Sequence, residues 1–78
     1  AIGGNSETIF ALLFNNDTQQ FEDIQEITYP FDFYIPLNRG DFTLYLLTDS
    51  QKMETALNNS LQVEQLLADD EKICFQVR

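Results

Sequence analysis

Residues 17–26 read DTQQFEDIQE, and the element assigned to them decides the fold of this 78-residue chain. Asp17 stands where a helix N-cap belongs, with Gln20 three residues on, which is capping-box spacing. Phe21 and Ile24 then share one helical face, with Gln25 beside them. The spacing predicts a short helix. An ordered loop is the alternative, because two apolar residues anchor a helix weakly.

Upstream, Thr8 to Phe14 (TIFALLF) is apolar at both parities and ends at the turn cluster Asn15-Asn16-Asp17. Such a run reads as a central strand buried on two faces. Downstream, Tyr29 to Leu37 (YPFDFYIPL) alternates. Phe31, Phe33, Ile35 and Leu37 point one way, and Asp32, Tyr34 and Pro36 the other. Pro30 and Pro36 confine this strand to an edge. Asn38-Arg39-Gly40-Asp41 is expected as a hairpin loop, with Gly40 free to take positive φ. Phe42 to Thr48 (FTLYLLT) returns as a strand, with Phe42, Leu44 and Leu46 on one face and Thr43, Tyr45 and Leu47 on the other.

Asp49 or Ser50 then caps a helix expected to reach about Ala68. Its apolar arc is Met53, Ala56, Leu57, Leu61, Val63 and Leu67, interrupted by Ser60 and Glu64. Asn58-Asn59-Ser60 offers a break into two short helices, with Ser60 capping the second. Asp69-Asp70-Glu71 opposes the negative end of a helix dipole and marks an exit turn. Lys72 to Val77 closes the chain as a strand, with Ile73, Phe75 and Val77 inward and Lys72, Cys74 and Gln76 outward.

The order strand, short helix, strand, strand, helix, strand is that of the split βαβ, or ferredoxin-like (βαββαβ), arrangement. The expected fold is therefore α+β, a four-stranded antiparallel sheet with both helices on one face and the first and third strands central. Residues 1–78 form one domain at this length. Ala1 to Asn5 are expected to be a tail or remnant outside the core.

Composition narrows the function. The chain has 13 acidic and 4 basic residues, a net charge of −9, no histidine and one cysteine. That field repels nucleic-acid phosphates and anionic membranes alike. No apolar run is long enough to span a bilayer, and no signal-peptide pattern opens the chain. The lone Cys74 points to a reducing, cytoplasmic setting. Lacking histidine, the chain has no ordinary general base near neutral pH, and Cys74 has no activating partner. No enzyme activity, no cofactor and no metal are expected. Asn15, Asp17, Asp23 and Glu26 match first, third, ninth and twelfth positions of an EF-hand loop. However, Gln20 stands at the glycine position and Gln19 at the fifth, so the match is read as coincidence.

Ile9-Phe10-Ala11 and Arg39-Gly40 resemble the openings of the first- and third-strand signatures of RNA-recognition motifs. Asp41 then stands in place of the aromatic residue such a platform needs, so direct nucleic-acid binding is not expected. Arg39-Gly40-Asp41 also spells an adhesion tripeptide, which the turn chemistry of the segment explains on its own. The glycosylation sequons Asn16-Asp17-Thr18 and Asn58-Asn59-Ser60 carry information only outside the cell.

The expected open sheet face holds most of the functional content. It would carry Tyr34, Thr43, Tyr45, Leu47 and Cys74 with one parity of the first strand, an apolar and aromatic patch larger than monomers usually expose. Tyr34, Thr43, Tyr45 and Leu47 are the expected partner-binding residues. The function expected is a small regulatory or adaptor domain that binds a protein partner, or forms a homodimer, through that face. The alternative is an acidic inhibitor that mimics nucleic acid and fills a basic groove with Asp17, Glu22, Asp23, Glu26, Glu54, Glu64 and Asp69 to Glu71.

Overall fold

The computed structural model describes residues 8–28, 34 and 38–78. Its elements are β1 (Thr8–Asn15), β2 (Gln20–Thr28), β3 (Gly40–Leu47), α1 (Ser50–Leu57), a 3-10 turn (Ser60–Gln62), α2 (Val63–Leu66) and β4 (Glu71–Val77). The four strands form one sheet in the order β2-β1-β3-β4, and every neighbouring pair is antiparallel. The domain is α+β with two short helices, and β1 and β3 are central as expected.

Several expectations are corrected. The segment predicted as a helix is strand β2, so the element order is not βαββαβ, and the strand order does not establish the ferredoxin-like arrangement. The cause is a β-bulge. Phe14 faces Phe21 and Leu13 faces Asp23, so Glu22 is an extra residue on β2. A bulge shifts the phase of alternation by one. Phe21 and Ile24, three apart, therefore share a sheet face, which imitates helical spacing. The edge strand expected over residues 29–37 lies outside the described residues, Tyr34 excepted.

Asn15-Asn16-Asp17 does turn the chain, as a hairpin. Asn15 Oδ1 accepts from the backbone N–H of Asp17 (2.8 Å) and of Thr18 (3.2 Å). Gln19 closes the turn at φ 59°, its N–H donating to the Asn15 carbonyl (2.7 Å). The turn is latched to β3. The N–H of Asn16 donates to the Asp41 carbonyl, and the N–H of Asp41 donates to Asp17 Oδ2, so Asp17 works as a latch and not as a helix cap. Gly40 has φ 145°, and a Cβ there would stand 3.2 Å from Asp17 Oδ2. Gly40 and Asp41 already belong to β3, opposite Val77 and Gln76, so the Arg39-Gly40-Asp41 tripeptide is not displayed at a hairpin tip.

The second correction concerns the sheet faces. Leu12, Phe14, Tyr45 and Leu47 are buried with Ala56, Val63 and Leu67, and Phe10, Phe21, Met53 and Leu66 pack around them. The helical segment thus covers the face of Thr43, Tyr45 and Leu47, the one expected to be open. The opposite face is buried as well: Ala11, Leu13, Ile27, Phe42 and Leu44 form a second cluster flanked by Leu46, Phe75 and Val77. Among the described residues the sheet has no open aromatic face. Because β1 and β3 are apolar at both parities, alternation marks two buried faces without saying which one the helices take.

The helical segment breaks at Asn58-Asn59, the second of the two expected forms. Asp49 is the N-cap of α1, its Oδ1 accepting from Gln51 N (2.9 Å) and Lys52 N (3.3 Å). At the break, Asn59 Nδ2 donates to the Thr55 carbonyl (2.8 Å), a side-chain bond that competes with further helix. Ser60 is not the cap of α2, which starts at Val63 without a side-chain cap. No helix among the described residues is long and apolar enough to cross a membrane.

Candidate interaction edge and its cleft

β4 is the outer strand beside β3, and no described strand pairs with its far side. Its seven residues hold an unbroken register with β3 from Gly40–Val77 to Leu46–Glu71. On the second face Phe75 stacks on Phe42 with ring centroids 5.7 Å apart, while Ile73 is 52% exposed. On the helical face Lys72, Cys74 and Gln76 are exposed. Apolar side chains thus reach the rim of the sheet beside a row of backbone donors and acceptors that no described strand pairs. That is the usual condition for strand addition.

Between the end of α2 and strands β3 and β4 lies a cleft of about 240 Å³, lined by Thr43, Tyr45, Glu64, Ala68, Lys72 and Cys74. Lys72 Nζ donates to the carbonyls of Ala68 (2.8 Å) and Leu67 (3.4 Å), placing its charge on the negative end of the helical segment. Thr43 Oγ1 lies 3.7 Å from Cys74 Sγ and accepts from Asn16 Nδ2 at 3.0 Å. Burial raises the Tyr45 phenol above its ordinary value, and the nearby Glu64 and Cys74 add to the effect. Lys52 is also raised, chiefly by its hydrogen bond to Asp70, with which it forms a 2.6 Å ion pair that ties α1 to the start of β4.

The structure separates the four residues expected to bind a partner. Thr43 (5% exposed) and Tyr45 (2%) reach the cleft from below. Leu47 is core beneath the helices. Tyr34 is exposed and away from all three, its carbonyl accepting from Gln25 Nε2 on β2. Sequence reading placed Cys74 of β4 on the expected open face and did not single out the outer side of that strand. The signal available was its seven residues of alternation without proline.

Several of the acidic residues have partners within the chain. Asp49 caps α1, Asp70 pairs with Lys52, Asp17 latches the hairpin, and Glu22 Oε2 accepts from Asn15 Nδ2 at 2.7 Å. Of the EF-hand-like positions, Asp23 shares a face with Leu13 and Glu26 shares the opposite one with Phe10, so the two carboxylates do not converge. No family model matches the chain, and neither a curated protein nor a solved structure matches it.

Proposed function

We propose that this chain is a non-catalytic interaction module, regulatory or adaptor in kind, that pairs the outer side of β4 with a strand of another chain. The observation that carries the reading is the unbulged β4 edge, which no described strand covers, with Ile73 half exposed beside it. Strand addition draws affinity from main-chain hydrogen bonds and selectivity from alternate side chains. Here Ile73, Phe75 and Val77 would receive apolar side chains on one face, while Lys72 and Cys74 meet polar ones on the other. The reading moves the contact surface from the covered face of Tyr45 and Leu47 to the strand beside it.

The acidic-mimic alternative has less support, because four of its carboxylates, those of Asp17, Glu22, Asp23 and Asp70, already have internal partners. Selection of short random peptides on the immobilised chain tests the proposal. The expected result is alternating apolar–polar peptides that protect β4 amides from hydrogen exchange and leave β2 amides unchanged. Failure to select any such peptide, or protection confined to β2, would overturn it.

A further inference from the structure

Resting on the β4 reading, we infer that the strand it receives is β4 of a second copy of this chain, paired antiparallel with Cys74 on the two-fold axis. Cys74 is the midpoint of Glu71–Val77. A two-fold axis there sets Ile73 opposite the second copy's Phe75, Glu71 opposite Val77 and Lys72 opposite Gln76. One step beyond the strand, Asp70 falls opposite Arg78. Each pair is used twice, as a self-complementary interface requires.

The match is specific to this register. Centring the pair on Phe75 sets Lys72 opposite Arg78, and like charges directly opposed are unfavourable. Centring it on Ile73 sets Lys72 opposite Cys74 and Asp70 opposite Gln76, so no opposite charges meet in register. An odd slip sends side chains to the wrong faces, joining the helix-covered side of one copy to the other side of its mate. Of these registers only the Cys74-centred one brings opposite charges, Asp70 and Arg78, together at both ends, with Ile73 on Phe75 at the middle of the apolar face and Glu71 beside Val77 at its margin.

Burial points the same way. Ile73 is 52% exposed at the rim of the cluster that holds the stacked Phe42 and Phe75. In the inferred pairing, the second copy's Phe75 covers it, and the two apolar clusters become one across an eight-stranded sheet. The two clefts beside α2 come to flank the axis on the other face, with both Cys74 thiols between them.

Three measurements on the full chain test the inference. Light scattering across a concentration series should reach twice the 9.0 kDa chain mass. A short bis-maleimide, adding one thiol at each end, should link Cys74 to Cys74 rapidly. Cys74→Ala with Gln76→Cys should link at least tenfold more slowly, since the two new thiols lie about 13 Å apart at ~3.3 Å per residue. Ile73→Lys, at a position already half exposed in the single chain, should keep the circular dichroism of the fold and raise the dimer dissociation constant at least tenfold. A mass of one chain at every concentration overturns the inference. So does equal linking from position 76, or a dimer that Ile73→Lys leaves intact. Strand peptides that still protect β4 in a strictly monomeric chain would sink the second copy and leave strand addition standing, whereas loss of both would remove both.

Discussion

The two outer strands of the sheet solve the same exposure problem in opposite ways. β2 is bulged at Glu22 and carries Glu22, Asp23 and Glu26 with no basic residue. A bulge twists an edge away from flat pairing, and like charges repel an incoming copy. β4 is straight, carries one acid and one base at Glu71 and Lys72, and ends in Ile73, Phe75 and Val77 on one face. On the reading proposed above, one edge refuses a strand and the other accepts one. In a chain with net charge −9, that reading rests on the difference between the edges and not on overall charge.

The largest expected effect removes what both edges rest on. Leu12 is fully buried in the central strand, between β2 and β3. Leu12→Ala should cost about 2–5 kcal/mol, out of a total on the order of 4–12 kcal/mol for a chain of this length. Urea unfolding should show the midpoint fall steeply and both edges lose amide protection together. A loss under about 1 kcal/mol would contradict the packing of the first cluster.

Removing Glu22 should make the two edges alike. Without it Phe14 still faces Phe21 and Leu13 still faces Asp23, so the ladder becomes regular and β2 straightens. The variant should fold and then grow in mass beyond a dimer, several-fold at high concentration, by light scattering. An unchanged mass would show that the carboxylates alone protect β2.

Gly40→Ala should act on one side of the sheet only. Its positive φ and the 3.2 Å approach to Asp17 Oδ2 make the substitution strained, at a cost of about 1–2 kcal/mol. Because Gly40 faces Val77, hydrogen exchange should rise at the β3–β4 end before it rises in β2. Equal acceleration in β2 would contradict this placement.

The smallest effect is confined to alkaline solution. Tyr45 has a folded pKa raised above its ordinary 10.0, so its contribution is fully present below that value. The unfolded chain ionises first as pH rises, and stability is lost as pH climbs through the folded value. The raised Lys52 beside Asp70 has the same sign, its contribution lost as pH rises past its ordinary 10.5 toward the folded value. Tyr45→Phe should shrink the loss of thermal stability above about pH 10 and leave the curve near neutrality almost unchanged, the phenol having ordinary pKa ≈ 10. An unchanged alkaline limb would argue against a buried phenol.

Much of the architecture was legible in the residues. The two-sided apolarity of Thr8 to Phe14, the Asn15-Asn16-Asp17 turn, the Asp49 cap and the positive φ of Gly40 all follow from local chemistry, and all four hold. The reading failed where a single inserted residue altered the period. Phe21 and Ile24 carry a helical interval because Glu22 bulges out of a strand, and a bulge is defined by the partner strand it skips. The candidate site was less legible still. Tyr45 and Leu47 are apolar enough for either side of a sheet, and their burial depends on where a distant helix lies down.

By itself the sequence determined a single acidic domain with a core too apolar for disorder, two central strands and a capped helix, because these depend on composition and on neighbours a few residues apart. Only the tertiary structure decided that 20–28 is a strand, that the helices cover Tyr45 and that β4 is an outer strand beside β3. Each of those is a relation between segments far apart in the chain. Hydrophobic period shows that a side chain must be covered, but not which segment covers it.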